Sequence, residues 1–247
     1  MRTLVALPVA TAMLLGGAPT LKGQSPQFEV ASIKVNRSGS GGSNLPFQRN
    51  GTIAATNVSL LMLLQSAYEL SASEIIGPGW LESDRFDLAG KSPQGVPDSE
   101  MKPMLQALLR DRFRLSAHRE MKEMPVYEMV VAKDGLRISR FDGTHPPAPA
   151  HTRAGAMMIG VASMARLARN MAGAAGRPVV DKTGLDGEYS YLLTFSPLSA
   201  QSETAPDPAA PDFFAAVQQQ LGLKLEPKRA PIEVLVIDHA ERVPTEN

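Results

Sequence analysis

The sequence predicts an α+β protein made of two tandem related modules, each with two helices packed on a small mixed or antiparallel sheet. Three observations lead there. The order of signals between Ile53 and Val131 returns between Met157 and Ile237. In both stretches a serine stands immediately before a helical apolar pattern, in Asn57-Val58-Ser59-Leu60 and in Val161-Ala162-Ser163-Met164. Between them, from Thr144 to Ala150, three prolines interrupt all periodicity. A repeated order of elements is a stronger signal than the composition of either copy.

The N-terminal stretch is read as an export signal. Arg2 provides a positive charge, Leu4 to Leu15 an apolar run, and Gly16-Gly17-Ala18 small residues suited to cleavage. The run is short for a membrane span. Residues 1–24 are therefore assigned to a signal peptide and cleavage region, 25–143 to the first module, 144–156 to a Pro/Ala-rich linker and 157–247 to the second module. A periplasmic or secreted location follows from the signal.

The elements of the first module follow in order. Phe28 to Val35 alternates as a half-buried strand, and the Gly/Ser-rich Arg37 to Asn44 reads as a loop. The glycines there have neither a phosphate-loop ending nor dinucleotide-fingerprint spacing. Gly51 to Ala55 predicts a short strand, and Ser59 an N-cap for a helix whose apolar face carries Leu60, Leu61, Leu63, Leu64, Ala67 and Tyr68. Trp80 precedes the alternating Phe86-Asp87-Leu88-Ala89. Asp98 or Ser99 caps the next helix, with Pro103 tolerated near its start. Met124 to Val131 predicts a strand, and Lys133-Asp134-Gly135 a turn.

The second module repeats this plan. Its first helix follows Ser163, Arg177-Pro178 leads to a turn through Asp181-Lys182-Thr183-Gly184, and Glu188 to Leu192 forms a strand. Ser199 to Pro211 is an internal loop, Asp212 caps the last helix, and Glu233 to Ile237 is a buried strand that places Asp238 and His239 at its end.

Composition excludes several classes of chemistry. With 247 residues, 43% of them hydrophobic, the chain can bury a substantial core or two small ones. Formal net charge is zero, so no global basic field gathers nucleic acid, and none is expected as a partner. Cysteine is absent, which removes disulfides, thiolate nucleophiles and thiolate metal ligands. His118, His145, His151 and His239 are scattered without metal-ligand spacing, so neither a metal nor a cofactor is expected.

No constellation names a reaction, and the catalytic residues stay unassigned. Asp238 beside His239 is an acid/base pair to inspect, together with Asp181. Asp84 and Glu188 stand at comparable places near two strand starts and would pair only if the modules faced each other. Ser99-Glu100-Met101-Lys102 with Lys182-Thr183-Gly184 resembles scattered β-lactamase elements, but the element between them is missing. Arg110, Arg112, Arg114, His118, Arg119 and Lys122 form a basic patch interleaved with Asp111, Glu120 and Glu123, which reads as a salt-linked surface. Trp80, Tyr127 and Tyr189 are the aromatic candidates for a binding surface.

Gly77-Pro78-Gly79-Trp80-Leu81, Leu108 to Leu115, Pro178 to Leu185, Gln220 to Leu225 and Val236-Ile237-Asp238-His239 resemble an uncharacterised soil-associated family abundant in Acidobacteria. The resemblance implies an exported bacterial envelope protein and transfers no substrate or catalytic residue. Related segments accompany membrane metallopeptidases that look like β-lactam sensors, whose membrane helices and zinc motif this chain lacks. Each half is also distantly similar to the short periplasmic domain found near secretins and TonB-dependent receptors, which implies a compact interaction module. The expected function is non-enzymatic binding of, or sensing through, an envelope protein. A hydrolase of envelope carbohydrate or peptide and a structural envelope component are the alternatives.

Overall fold

The computed structural model describes residues 27–38, 47–48, 51–94, 96–144, 156–196 and 211–245. The expected signal peptide, the loop at 39–46 and most of the 144–156 and 199–211 connections lie outside these residues. The architecture is α+β, with helices packed on antiparallel and mixed sheets.

The first sheet is antiparallel and runs in the order β1 (Val30–Val35), β5 (Arg85–Lys91), β3 (Thr52–Ser59), β2 (Phe47–Gln48). A bulge between Ala55 and Val58 places Asn57 at φ 56°, where its N–H donates to Asp87 Oδ1 at 2.9 Å. β3 passes directly into α1 (Leu60–Tyr68) because Ser59 Oγ accepts from Met62 N at 3.2 Å, the expected cap. Leu60, Leu63, Leu64 and Ala67 of α1 pack with Leu105, Leu108 and Leu109 of α3 (Met101–Arg112) and with β5. Phe86 and Phe113 meet edge to face at 5.1 Å in this cluster.

A second cluster forms around α4 (Met164–Ala175), capped as expected by Ser163 Oγ, which accepts from Arg166 N at 3.3 Å. Its three-stranded sheet runs β7 (Ser139–Arg140), β10 (Glu188–Phe195), β8 (Ala156–Ser163). Asp212 caps the short α5 (Phe213–Ala216), accepting from Ala215 N at 2.9 Å, and a π-helical turn carries the chain on through Val217–Leu221. Gln220 holds that turn to β10 by bonding both backbone groups of Thr194, at 3.0 and 2.8 Å.

The third sheet joins the two clusters. β6 (Ser116–Val131) and β11 (Leu223–His239) pair antiparallel over their length, with β4 (Ile75–Ile76) added in parallel to β11 and β9 (Val179–Asp181) in parallel to β6. At one end, Leu115, Leu235 and Ile237 belong to the first cluster; at the other, Met129, Leu223 and Leu225 belong to the second. Strands of 16 and 17 residues span roughly 50 Å.

The two long strands extend well beyond the expected Met124–Val131 and Glu233–Ile237. Residues 118–123 are all exposed, so this middle stretch has no buried face and no apolar alternation for a sequence reading to detect. Its prolines fit all the same. Tyr127 N–H points away from β11, to Pro178 O at 2.9 Å, and every second residue of β6 shares that outward direction. Pro125 is one of these, and Pro227 and Pro231 stand opposite Tyr127 and Glu123 at the matching positions of β11. None of the three removes a donor from the ladder.

Gly222, with φ 67°, closes the helical turn where β11 begins. A Cβ there would lie 2.2 Å from Gly135 O and 2.7 Å from Arg137 N, both backbone atoms. Gly222→Ala is therefore expected to destabilise the protein by about 2–4 kcal/mol, from the positive φ and the clash together, read as a lower urea midpoint.

Candidate functional site

A concavity of about 610 Å³ lies between the C-terminal end of α1 and the exposed face of α4. Local chemistry makes its first wall. α1 ends at Glu69 in the left-handed conformation, φ 56°. Gln106 Nε2 of α3 pins that end by donating to Ala67 O at 2.7 Å. The following turn is held by Glu74, whose carboxylate accepts from Ser71 N at 2.7 Å and from Ser71 Oγ at 2.5 Å. Lys102 reaches over from α3 to meet Glu69 at 2.5 Å.

Arg166, Arg169, Asn170 and Gly173 of α4 make the opposite wall. Spacings of three and four place them on one helix face, while Leu167, Ala168, Met171 and Ala172 enter the second cluster. Asn170 is steadied by Nδ2 donating to Tyr191 Oη at 3.2 Å. Gly173 leaves the wall low, since a Cβ there would meet nothing within 4 Å. The Lys102 hydrogen bond, aided by the fields of Lys102, Arg169 and Arg166, holds the Glu69 carboxyl below the usual glutamate range against a smaller desolvation effect. Three cations thus face one committed carboxylate in a polar cleft, an arrangement suited to holding a polar, negatively charged group.

The residues singled out from the sequence go elsewhere. Trp80 opens the short helix α2 (Trp80–Ser83), half-buried against the first cluster. Tyr127 is half-buried against the second, with the Phe214 ring at 5.1 Å and the Arg177 guanidinium 5.5 Å from its centroid. Tyr189 is 7% exposed, and its hydroxyl donates to Asp186 O at 3.3 Å. Tyr127 and Tyr189 share a cluster; Trp80 does not join them.

The carboxylates and histidines are similarly dispersed. Asp181 organises its turn as expected, accepting from Thr183 N at 2.9 Å and Thr183 Oγ1 at 2.7 Å. Asp84 is held by Arg242 at 2.5 and 2.9 Å, not by Glu188, and this lowers its pKa. Asp238 pairs across the ladder with His118 Nδ1, at 2.8 and 3.0 Å, instead of with its neighbour His239. Glu120 lies 3.9 Å from His118 Nε2, so an acidic group occupies the side a nucleophile would need. Arg119 pairs with Glu233, also across the ladder, so the basic patch is salt-linked but mainly to β11. His145 and His151 lie outside the described residues. Among the described residues no group of three or more His, Cys, Asp or Glu side chains is placed to hold a metal ion, and no helix is long and apolar enough to cross a membrane.

Sequence reasoning missed the cleft. Arg166 and Arg169 were visible as charges on the polar face of an amphipathic helix, but Glu69 and Lys102 reach the same space only through the packing of α1 on α3.

Fold and cleft together define an α+β protein with a polar interhelical groove. Residues 61–240 match the family described as protein of unknown function (DUF3738), and the chain belongs to that family. No curated protein and no solved structure matches it.

The exposed His118 pair gives a direct check of this geometry. The Asp238 hydrogen bond and charge raise the His118 pKa. Because the folded value is raised, the pair's stabilisation is present in full below the ordinary histidine range and is lost as pH rises through the folded value. An NMR titration is expected to place His118 above an ordinary histidine, and Asp238→Asn to return it towards the ordinary value.

Proposed function

We propose that this protein is a non-enzymatic protein-binding or sensing module of the bacterial envelope, exported to the periplasm or secreted, and that its interhelical cleft is the recognition site. The cleft is the observation that carries the reading. It is open, and its walls are the ends of helices fixed by cores beneath them, so binding needs little ordering of the site itself. Three of the carboxylates weighed for catalysis are engaged in a turn or surface ion pairs, with Asp84 on Arg242, Asp181 on Thr183 and Asp238 on His118. The apolar N-terminal run and the resemblance to exported envelope proteins support the location. Half-buried Trp80 and Tyr127 retain surface for a partner, whereas Tyr189 serves packing.

The cleft also fits a duplicated origin, two related α+β modules facing each other across the shared ladder. Four features support that origin. Apart from the short α2 inserted between β4 and β5, the element order strand, helix, strand, strand, helix, strand runs from β3 to β6 and again from β8 to β11. Ser59 and Ser163 cap the two first helices, which end in left-handed residues, Glu69 and Gly176. The long strands both start after a left-handed residue, Arg114 with φ 48° and Gly222 with φ 67°. Finally, β4 joins β11 at Leu235 while β9 joins β6 at Tyr127, so Ile75 and Val179 are partners at equivalent places. Leu223 stands to Leu235 as Leu115 stands to Tyr127, and under this equivalence Glu123 and Pro231, which face each other, mark the middle of the ladder. The two-fold relation brings α1 and α4 to opposite sides of one groove.

Capture from an envelope extract, crosslinked before washing and analysed by mass spectrometry, tests the reading. The wild-type protein is expected to retain a reproducible partner, and Gly173→Gln, which fills the cleft from a good helix position, to reduce its recovery by about tenfold or more. Equal recovery by the two proteins sinks the cleft as the recognition site; no partner for folded wild-type bait sinks protein recognition itself.

A further inference from the structure

We infer that the cleft receives an acidic peptide segment, with Arg166 and Arg169 as the residues that bind its carboxylates. This rests on the reading of the protein as a binding module and names the chemistry of its partner.

Two cations of the cleft lack a direct partner among the described residues. Of the three cations in the cleft, Lys102 is committed to Glu69 at 2.5 Å. Arg166 and Arg169 are exposed, and among the described residues neither guanidinium has an ion-pair or hydrogen-bond partner, although both lie close enough to lower the Glu69 pKa by their field. They also sit in the first two turns of α4, whose first turn has no acidic residue. Cations at a helix N-terminus oppose its macrodipole. The dipole disfavours Arg166 in the first turn, and the compensation the cleft provides is the through-space field of Glu69, which is already hydrogen-bonded to Lys102; an incoming anion would contact both guanidinium groups directly and relieve their mutual repulsion.

Guanidinium groups three residues apart on one face present two planar forks, the geometry that carboxylates accept bidentately. On the opposite wall Glu69 is paired with Lys102, which leaves the α4 side as the positive face of the cleft. Gln65 and Ser66 of α1 and Asn170 of α4 line the same space with amide and hydroxyl groups suited to a peptide backbone. A nucleic acid or an anionic membrane fits less well: the arginines flank a groove instead of standing on a flat face, and zero formal net charge provides no long-range field for a polyanion.

The test is fluorescence anisotropy of a labelled peptide alternating glycine and glutamate, titrated with protein purified after expression of the full chain. A glycine/lysine peptide is the control, and inorganic phosphate a competitor. Binding of the glutamate peptide alone is expected, weakened about tenfold or more in R166Q/R169Q and in Gly173→Gln, and weakened by salt. Both variants alter exposed positions of one helix, and circular dichroism checks that they fold. Failure of the wild-type protein to bind, equal binding by R166Q/R169Q, or displacement by phosphate as effective as by free peptide overturns the inference. In the capture experiment, a partner retained by R166Q/R169Q but lost with Gly173→Gln leaves the binding module standing and removes the acidic peptide.

Discussion

The structure depends on one continuous antiparallel ladder. β6 leaves the first hydrophobic cluster and ends in the second, and β11 makes the reverse journey. Each cluster therefore packs against the end of a strand that begins in the other. Isolated two-stranded ribbons are marginal in water, and this one is secured by anchoring both ends in cores. Leu235 and Ile237 hold one end under α1 and α3, Met129 and Leu225 hold the other under α4, and the exposed middle needs no core of its own. Unfolding either cluster removes the support for one end of both strands, which couples two cores that share no buried residue between them.

That coupling also shapes the cleft. α1 rests on one end of the ladder and α4 on the other, so the distance between their facing surfaces is set by strand length and twist more than by contacts across the gap. Across the gap the charged groups are Glu69, paired with Lys102, on one wall and Arg166 and Arg169 on the other, with apolar Leu70, Ala72 and Ala172 between them in the lining.

What was legible in the sequence was local. Ser59, Ser163 and Asp212 each stand beside the helix they cap, and Asp181 beside the turn it organises, so interactions spanning two or three residues reveal them. The alternation of Phe86 and Leu88 marked β5 because one face of that strand is buried. The middle of the ladder escaped because period-two patterning reports burial and not pairing: Arg119 to Glu123 are hydrogen-bonded strand residues surrounded by water. The backbone at Asn57, Glu69 and Arg114 was equally hidden, since left-handed geometry at residues other than glycine is imposed by neighbours. Asn57 is held by Asp87, thirty positions away. The three aromatics differ in burial: Tyr189 is taken up by the second cluster, while Trp80 and Tyr127 pack against the two clusters only in part.

Among the described residues the two edges of the ladder's middle are unpaired, and unpaired strand edges invite strand addition. The chemistry there is unfavourable to it. An added strand would seek the outward N–H groups of β6 and β11, and Pro125, Pro227 and Pro231 remove donors from that outward set while leaving the inner ladder whole. Charged Arg119, Lys122, Glu123 and Glu233 surround the same stretch. A long ribbon exposed on both faces would otherwise pair with its copies, and the prolines let the chain keep its span without that hazard. Strand addition is thus disfavoured along the ribbon's edges, and the recognition proposed above falls to the helices at its ends, where side chains and not backbone groups line the cleft. The ribbon joins the two clusters, and its prolines keep the exposed edges from pairing.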